Sequence, residues 1–239
     1  MSKERTEYLV HYAMALTGGF LGGYALINHH ELFGNAQTSN LIHIVFCLVG
    51  TNIVELMYRL LDLALYFSGF ACTVYFAKKT KLDLQYCSVF FNLMTVLILF
   101  WMPRSVNDYV FLAPVFFSMA FQWNSFKGVG GYASSTIFST NNFRQFSTSL
   151  CEYFCDKEKD HLHKTWYYGN TLLSYHVGVV VAYLASRQFG LDGVLVGVLI
   201  VLYSGVMVCL DHGWRMEKIV KKVIDKYTVS CYNRKSVVK

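Results

Sequence analysis

Two short polar motifs occupy comparable places in an otherwise apolar chain. They are Thr38-Ser39-Asn40 and Thr140-Asn141-Asn142, offset by 102 residues. Hydroxyl and amide groups in such a setting bind small polar solutes or cap helices. Oxygens of Thr, Ser and Asn accept hydrogen bonds from the free N–H groups of a helix's first turn. Thr38 or Ser39 is therefore expected to cap a short helix over 40–50, and Thr140 or Asn141 another over 142–155. Gly34 precedes the first motif and Gly130-Gly131 the second, where the chain must turn back sharply. If these helices begin inside a bilayer, their N-termini offer free donors and a positive potential, suited to an anion or a carboxylate. The rival reading is that the motifs cap helices lying on the membrane surface. In 142–155, Phe143, Phe146, Leu150, Tyr153 and Phe154 face one way, with Arg144, Gln145, Thr148 and Glu152 mostly on the other. Both readings stand on the sequence.

Other polar residues have simpler uses. Gln122 and Asn124, and Asn28 further back, lie within apolar runs, where amides serve as solute ligands or, more commonly, bond one helix to another. Glu55 and Arg59 are spaced for a local ion pair, with Asp62 one turn on. His176 is expected to make one helix–helix hydrogen bond. Cys151, Cys155, His161 and His163 have compact spacing for zinc. Yet the cysteines fall on an amphipathic pattern and the histidines in the charged loop "DKEKDHLHK"; His29-His30-Glu31 is a further cluster. No metal and no other cofactor is expected. A nucleophile elbow, a P-loop, a dinucleotide fingerprint and an H-E-x-x-H motif are all missing, which argues against an enzyme.

The elements that must position these groups follow from composition. Of 239 residues 54% are hydrophobic and 15% charged, against about a quarter charged in soluble domains. The charges are concentrated between long apolar runs, and a bilayer-spanning helix needs roughly 20 apolar residues. Six spans are expected: 8–28, 55–77, 84–102, 108–126, 166–187 and 190–210. The first run is too long for a cleaved leader and reads as a retained helix. With both termini cytoplasmic, only Arg59, Arg104 and Arg187 fall on or near the far side, as the positive-inside rule requires. Making 32–54 a further span would spoil that balance. The seven cysteines show no disulfide framework. Outside the tail no basic folded surface remains for nucleic acid.

The motifs belong to a larger correspondence. "GGFLGG" (18–23) matches "AFQWNS" (120–125), and "FSGFACTVY" (67–75) matches "HVGVVVAY" (176–183), aligned on Gly69 and Gly178. Each half runs span, polar loop, short helix, span, span. Three spans is an odd number, so the halves point opposite ways across the bilayer, an arrangement recurrent in transporters. Gly18, Gly19, Gly22 and Gly23 form small-xxx-small faces for close helix packing.

On these motifs the chain resembles the YoaK-like membrane proteins, the DUF1275 (UPF0700) family, over about 15–210. In that family a Gly-containing first helix precedes a T-G-N motif, and a later "G-L-Q-N" helix precedes a second Thr-Gly motif. The counterparts here are Gly19–Gly23 with Thr38-Ser39-Asn40, then Ala120-Phe121-Gln122 with Thr140-Asn141-Asn142. The resemblance implies a multi-spanning protein and assigns no chemistry. It also has departures: an acidic residue of the family's first helix is Gly22 here, and the motif glycines are Ser39 and Asn141.

The expected architecture is all-α integral membrane, six transmembrane helices in a three-plus-three inverted repeat with two short partial or interfacial helices. Residues 1–105 form the first repeat, 106–212 the second, and 213–239 a cytoplasmic tail. The tail's 213–227 stretch is a basic amphipathic helix suited to anionic lipid. The expected function is a small-solute transporter or channel in the cell (inner) membrane, with its site at Thr38, Ser39, Asn40, Gln122, Asn124, Thr140, Asn141 and Asn142. The alternative is a non-transporting accessory or effector protein acting through its cytoplasmic loop and tail. The lipid bilayer is the principal partner, with a homo-oligomer compatible with this design.

Overall fold

A computed structural model describes residues 3–29 and 32–213. The 213–227 tail helix and His30-Glu31 lie outside the described residues, except for Gly213. The elements are α1 (Lys3–Asn28), α2 (Thr38–Val49), α3 (Ile53–Lys79), α4 (Leu84–Trp101), α5 (Asp108–Ser125), β1 (Gly128–Val129), β2 (Tyr132–Ala133), α6 (Thr140–Asp156) and α7 (Lys159–Phe189). A 3-10 turn, Gly190–Leu195, then leads into a last helix, α8, over 196–213. All six expected long helices are present, and the short ones start two residues earlier than expected. Among the described residues the regular structure is helical except for the two-residue antiparallel ladder β1–β2. Its turn places Gly130 and Gly131 at φ of 64° and 84°, left-handed values that glycine reaches without steric cost.

Among the described residues, four helical segments are long and apolar enough to cross a membrane: α1 from Glu4, α3, α4, and the 55-residue segment Lys159–Gly213. The last folds back on itself at Gly190. Along α7, Tyr167 meets Tyr8, Gly178 meets Leu16 and Phe20, and Asn28 reaches Ser186, so α7 runs parallel to α1. Along α8, Gly197 meets Phe20 while Ser204 bonds the Ala13 carbonyl, so α8 runs antiparallel to it.

A second trio repeats this pattern around α5. Tyr109 reaches Glu55, Gly69 lies on Phe117 and Ala120, and Asn124 bonds Thr73, so α3 runs parallel to α5. Thr95 bonds the Pro114 carbonyl and Asn92 bonds Gln122, so α4 runs antiparallel to α5. The two central helices are themselves antiparallel: Gln122 meets Met14 at one end and Asp108 meets His29 at the other.

Close approach depends on glycine at each crossing. A Cβ on Gly19 would sit 1.9 Å from the Tyr175 carbonyl oxygen, and one on Gly178 would sit 2.2 Å from that of Leu16. Gly69 plays the same part against the Phe117 carbonyl, at 2.5 Å. The glycine faces of α1 divide the work: Gly19 and Gly23 hold α7, while Gly18 holds the Thr136-Ile137 backbone and Gly22 the Asn35 side chain. The core between the trios contains Phe20, Leu21, Tyr24, Leu112, Val115, Phe116 and Met119.

Candidate functional site

The chain leaves α1 at Asn28, passes through Leu32–Gln37 and turns back as α2, which ends beside the start of α3. At the turn, Asn35 is fully buried. Its Nδ2 donates to the carbonyls of Gly18 and Ile137, and its own carbonyl accepts from the Tyr66 hydroxyl. Gly18 and Tyr66 both stand near the middle of their helices. The segment therefore dips halfway along the bundle and returns to the end it came from. The second polar segment does the same from the opposite end. After the β1–β2 ladder, Ser134–Ser139 runs inward to Ile137, and α6 returns along α7, with Thr165 bonding Ser149. The two turns meet at the Asn35–Ile137 hydrogen bond of 2.6 Å.

The expected caps are corrected here. The residue before α2 is Gln37 and the residue before α6 is Ser139, and neither makes a side-chain cap. Thr38, Ser39, Thr140 and Asn141 already lie inside the first turns, because the preceding loops are held from within and reach helical geometry a residue or two early. Asn40 Nδ2 donates to Gln37 Oε1 and to the Arg59 carbonyl. Asn142 Nδ2 donates to the Ser135 carbonyl, and its Oδ1 accepts from the Ser135 N–H and the Ser134 hydroxyl. The third residue of each motif thus ties the helix to its own loop.

The motif residues separate by role. Thr38, Ser39 and Thr140 are exposed and line one cavity of about 900 Å³, together with Gln37, Tyr66, Phe67, Phe70, Trp123 and Phe138. Asn141 turns away and accepts from Arg144. Gln122 is fully buried and forms a strut: Nε2 donates to the Met14 carbonyl and to Thr136, and Oε1 accepts from Asn92. Asn124 bonds Thr73 at a half-buried position. Neither Gln122 nor Asn124 lines the cavity's polar rim.

A second cavity, of about 830 Å³, opens near the α2–α3 and α4–α5 turns. It shares Phe33, Ala36, Ser39 and His43 with the first, so the two adjoin. Its wall holds residues that the sequence reading had set aside as a plain ion pair. Arg59 is buried, pairs with Glu55 Oε1 at 2.7 Å, donates to Asn40 Oδ1 and lies over the Tyr109 ring. The usable signal was an arginine inside an apolar run, which is costly unless it faces a cavity or a partner. Asp62, one turn on, is fully buried and neither carboxylate oxygen has a hydrogen-bond partner.

The two faces of α6 separate only in part: Phe146, Leu150 and Tyr153 are half-buried, and Arg144 and Thr148 are exposed. Asn142 and Ser149 face inward, while Phe143 and Phe154 are exposed. His176 is exposed, and its Nδ1 meets the Leu172 carbonyl of its own helix rather than a neighbour. Cys151, Cys155, His161 and His163 are not gathered together. His161 meets Glu152 and Asp156, and His163 meets Tyr132. Among the described residues the one group with metal-ligand spacing is Asp156, Glu158 and His161, on the surface.

Long apolar helices around a polar, glycine-packed centre define a membrane protein. Residues 10–208 match the family described as "Protein of unknown function (DUF1275)", and the chain belongs to that family. No curated protein and no solved structure matches the chain.

Proposed function

We propose that this chain is a six-span transporter or channel for a small solute, built as a three-plus-three inverted repeat in the cell membrane with both termini cytoplasmic. The observation that carries the reading is that Thr38 and Thr140, from the first turns of two half-length helices entering from opposite ends, line one cavity. Non-helical backbone at membrane depth is tolerated where it lines a cavity or is buried in protein. Transporters commonly place their binding site between inverted halves, at broken helices. The pairing of α1 with α7 and of α5 with α3, each through a central glycine, supports the repeat. The antiparallel central pair supports its inversion.

The cavity walls suggest the solute class. Leu41, Ile42, Leu63, Phe67 and Trp123 supply apolar surface, and hydroxyls with uncapped helix starts supply donors at one end. This suits a solute with an apolar body and an anionic head, such as a carboxylate. Arg59 in the outer cavity would draw such a head inward.

The test is side-specific thiol labelling of Ser39→Cys and Thr140→Cys, each on a background with the native cysteines replaced. Reaction of each probe with a membrane-impermeant reagent from both faces is the expected result. Reaction of Ser39→Cys only from outside and Thr140→Cys only from inside, at the rates of surface sites, would overturn the proposal and leave an accessory role as the better account.

A further inference from the structure

Asp62 stands on the inward face of α3, three residues after Arg59 and four before Tyr66. It is 0% exposed, and both of its oxygens lack a hydrogen-bond partner. A carboxylate removed from water without hydrogen bonds is strongly disfavoured and must be neutralised. Arg59 is the near cation, but three of its five N–H groups are turned elsewhere, Nε and Nη2 to Glu55 Oε1 and Nη1 to Asn40 Oδ1, and none reaches Asp62. The remaining groups facing this stretch are Tyr109 of α5, whose hydroxyl donates to Glu55 Oε1 and whose ring lies under Arg59, and from α2 Cys47, packed beside Leu56, and His43 in the cavity wall. None of these is hydrogen-bonded to Asp62.

The acid is not a requirement of the packing. Counting from the paired glycines 69 and 178, Tyr66 corresponds to Tyr175 and Asp62 to Thr171. Thr171 is equally buried, and its hydroxyl is satisfied by the Tyr167 carbonyl. One half thus has a neutral, satisfied residue where the other has an unsatisfied acid.

We propose that Asp62 is a proton-binding site with Arg59 as its switch. While Arg59 is paired with Glu55, Asp62 holds a proton taken from water in the outer cavity. When Arg59 turns along the same helix face to Asp62, the proton returns to water and Glu55 is released into the cavity. Because Arg59 also holds Asn40, the exchange loosens the start of α2 and so opens or closes the passage beside Ser39. The proton site stands on the geometry alone; its coupling to the passage rests on the transport reading above.

The full chain in liposomes provides the test. Infrared spectroscopy across a pH series is expected to show a protonated carboxylic-acid carbonyl band at neutral pH that disappears on alkalinisation. The band should be lost in Asp62→Asn, kept in Glu55→Gln, and kept at a shifted frequency in Asp62→Glu, which also guards against a folding failure of the first variant. Absence of an Asp62-dependent band would overturn the proton site. For the coupling, external labelling of Ser39→Cys is measured against pH relative to Ser105→Cys, an exposed loop control. The ratio should change with pH and lose that change in Asp62→Asn. A ratio that ignores pH while the band persists would overturn the switch. Two-sided labelling at Ser39 and Thr140 is read separately, so loss of the coupling and loss of the transport reading are told apart.

Discussion

Asn40 and Asn142 hold the same rank in their motifs and do the same work, each bonding back to the loop that precedes it. Gln122 does comparable work between helices. Gln122→Leu leaves the Asn92 amide without its acceptor and the Thr136 hydroxyl without its donor, both buried. The expected cost is about 2–4 kcal/mol, given roughly 1–3 kcal/mol for each buried group left unsatisfied. Thermal unfolding in detergent should show it, with Asn124→Ala, which breaks one half-buried bond, falling less. Arg104 and Asp192 give the contrast, since both are more than half exposed. Arg104→Ala should leave the same unfolding curve nearly unmoved, within about 1 kcal/mol. The sequence revealed these polar residues but not this division of labour. Whether an amide braces or binds depends on which distant carbonyls surround it, and those come from other helices.

Among the elements, helix extents were readable because long apolar runs bounded by charge leave little freedom. The helix starts were not, because the loops before α2 and α6 are fixed by Asn35, Asn40 and Asn142 rather than by a cap. Which residues of α6 are buried was not legible for a related reason. In a membrane protein the apolar side can point outward, so the amphipathic pattern gives an axis without a sign. The glycine faces were readable, since small residues at a four-residue spacing have few other uses in apolar helices. Gly178→Val should therefore prevent α7 from seating on α1, seen as loss of monodisperse protein on size exclusion. Gly213→Ala, with open space around it, should behave as the parent.

At the scale of the molecule, Asn35 and Ile137, each shortly before one of the two polar motifs, meet at the motifs' own separation of 102 residues. The Glu55–Arg59 pair was legible from its spacing, but the isolation of Asp62 was not, because it depends on which groups of other helices face it. The exposed apolar belt makes its own prediction. Leu173, 63% exposed at the middle of α7, should not tolerate lysine, whereas Val49, 81% exposed at the end of α2, should. A lysine at a span's centre costs about 2.5–3.5 kcal/mol of insertion free energy. The yield of each variant in the membrane fraction is the measurement.

The crossed packing of the two trios also bears on how the chain is made. A ribosome releases α1 long before α7, so the Gly19–Gly23 face must wait, uncovered, until the second half has been inserted. The first half has no substitute for that partner, because α3 belongs with α5 and the turn at Asn35 is closed by a carbonyl 102 residues downstream. Synthesised alone, residues 1–105 should be cleared by membrane proteases. Supplied together with residues 106–239 as a separate polypeptide, they should persist and co-purify with it.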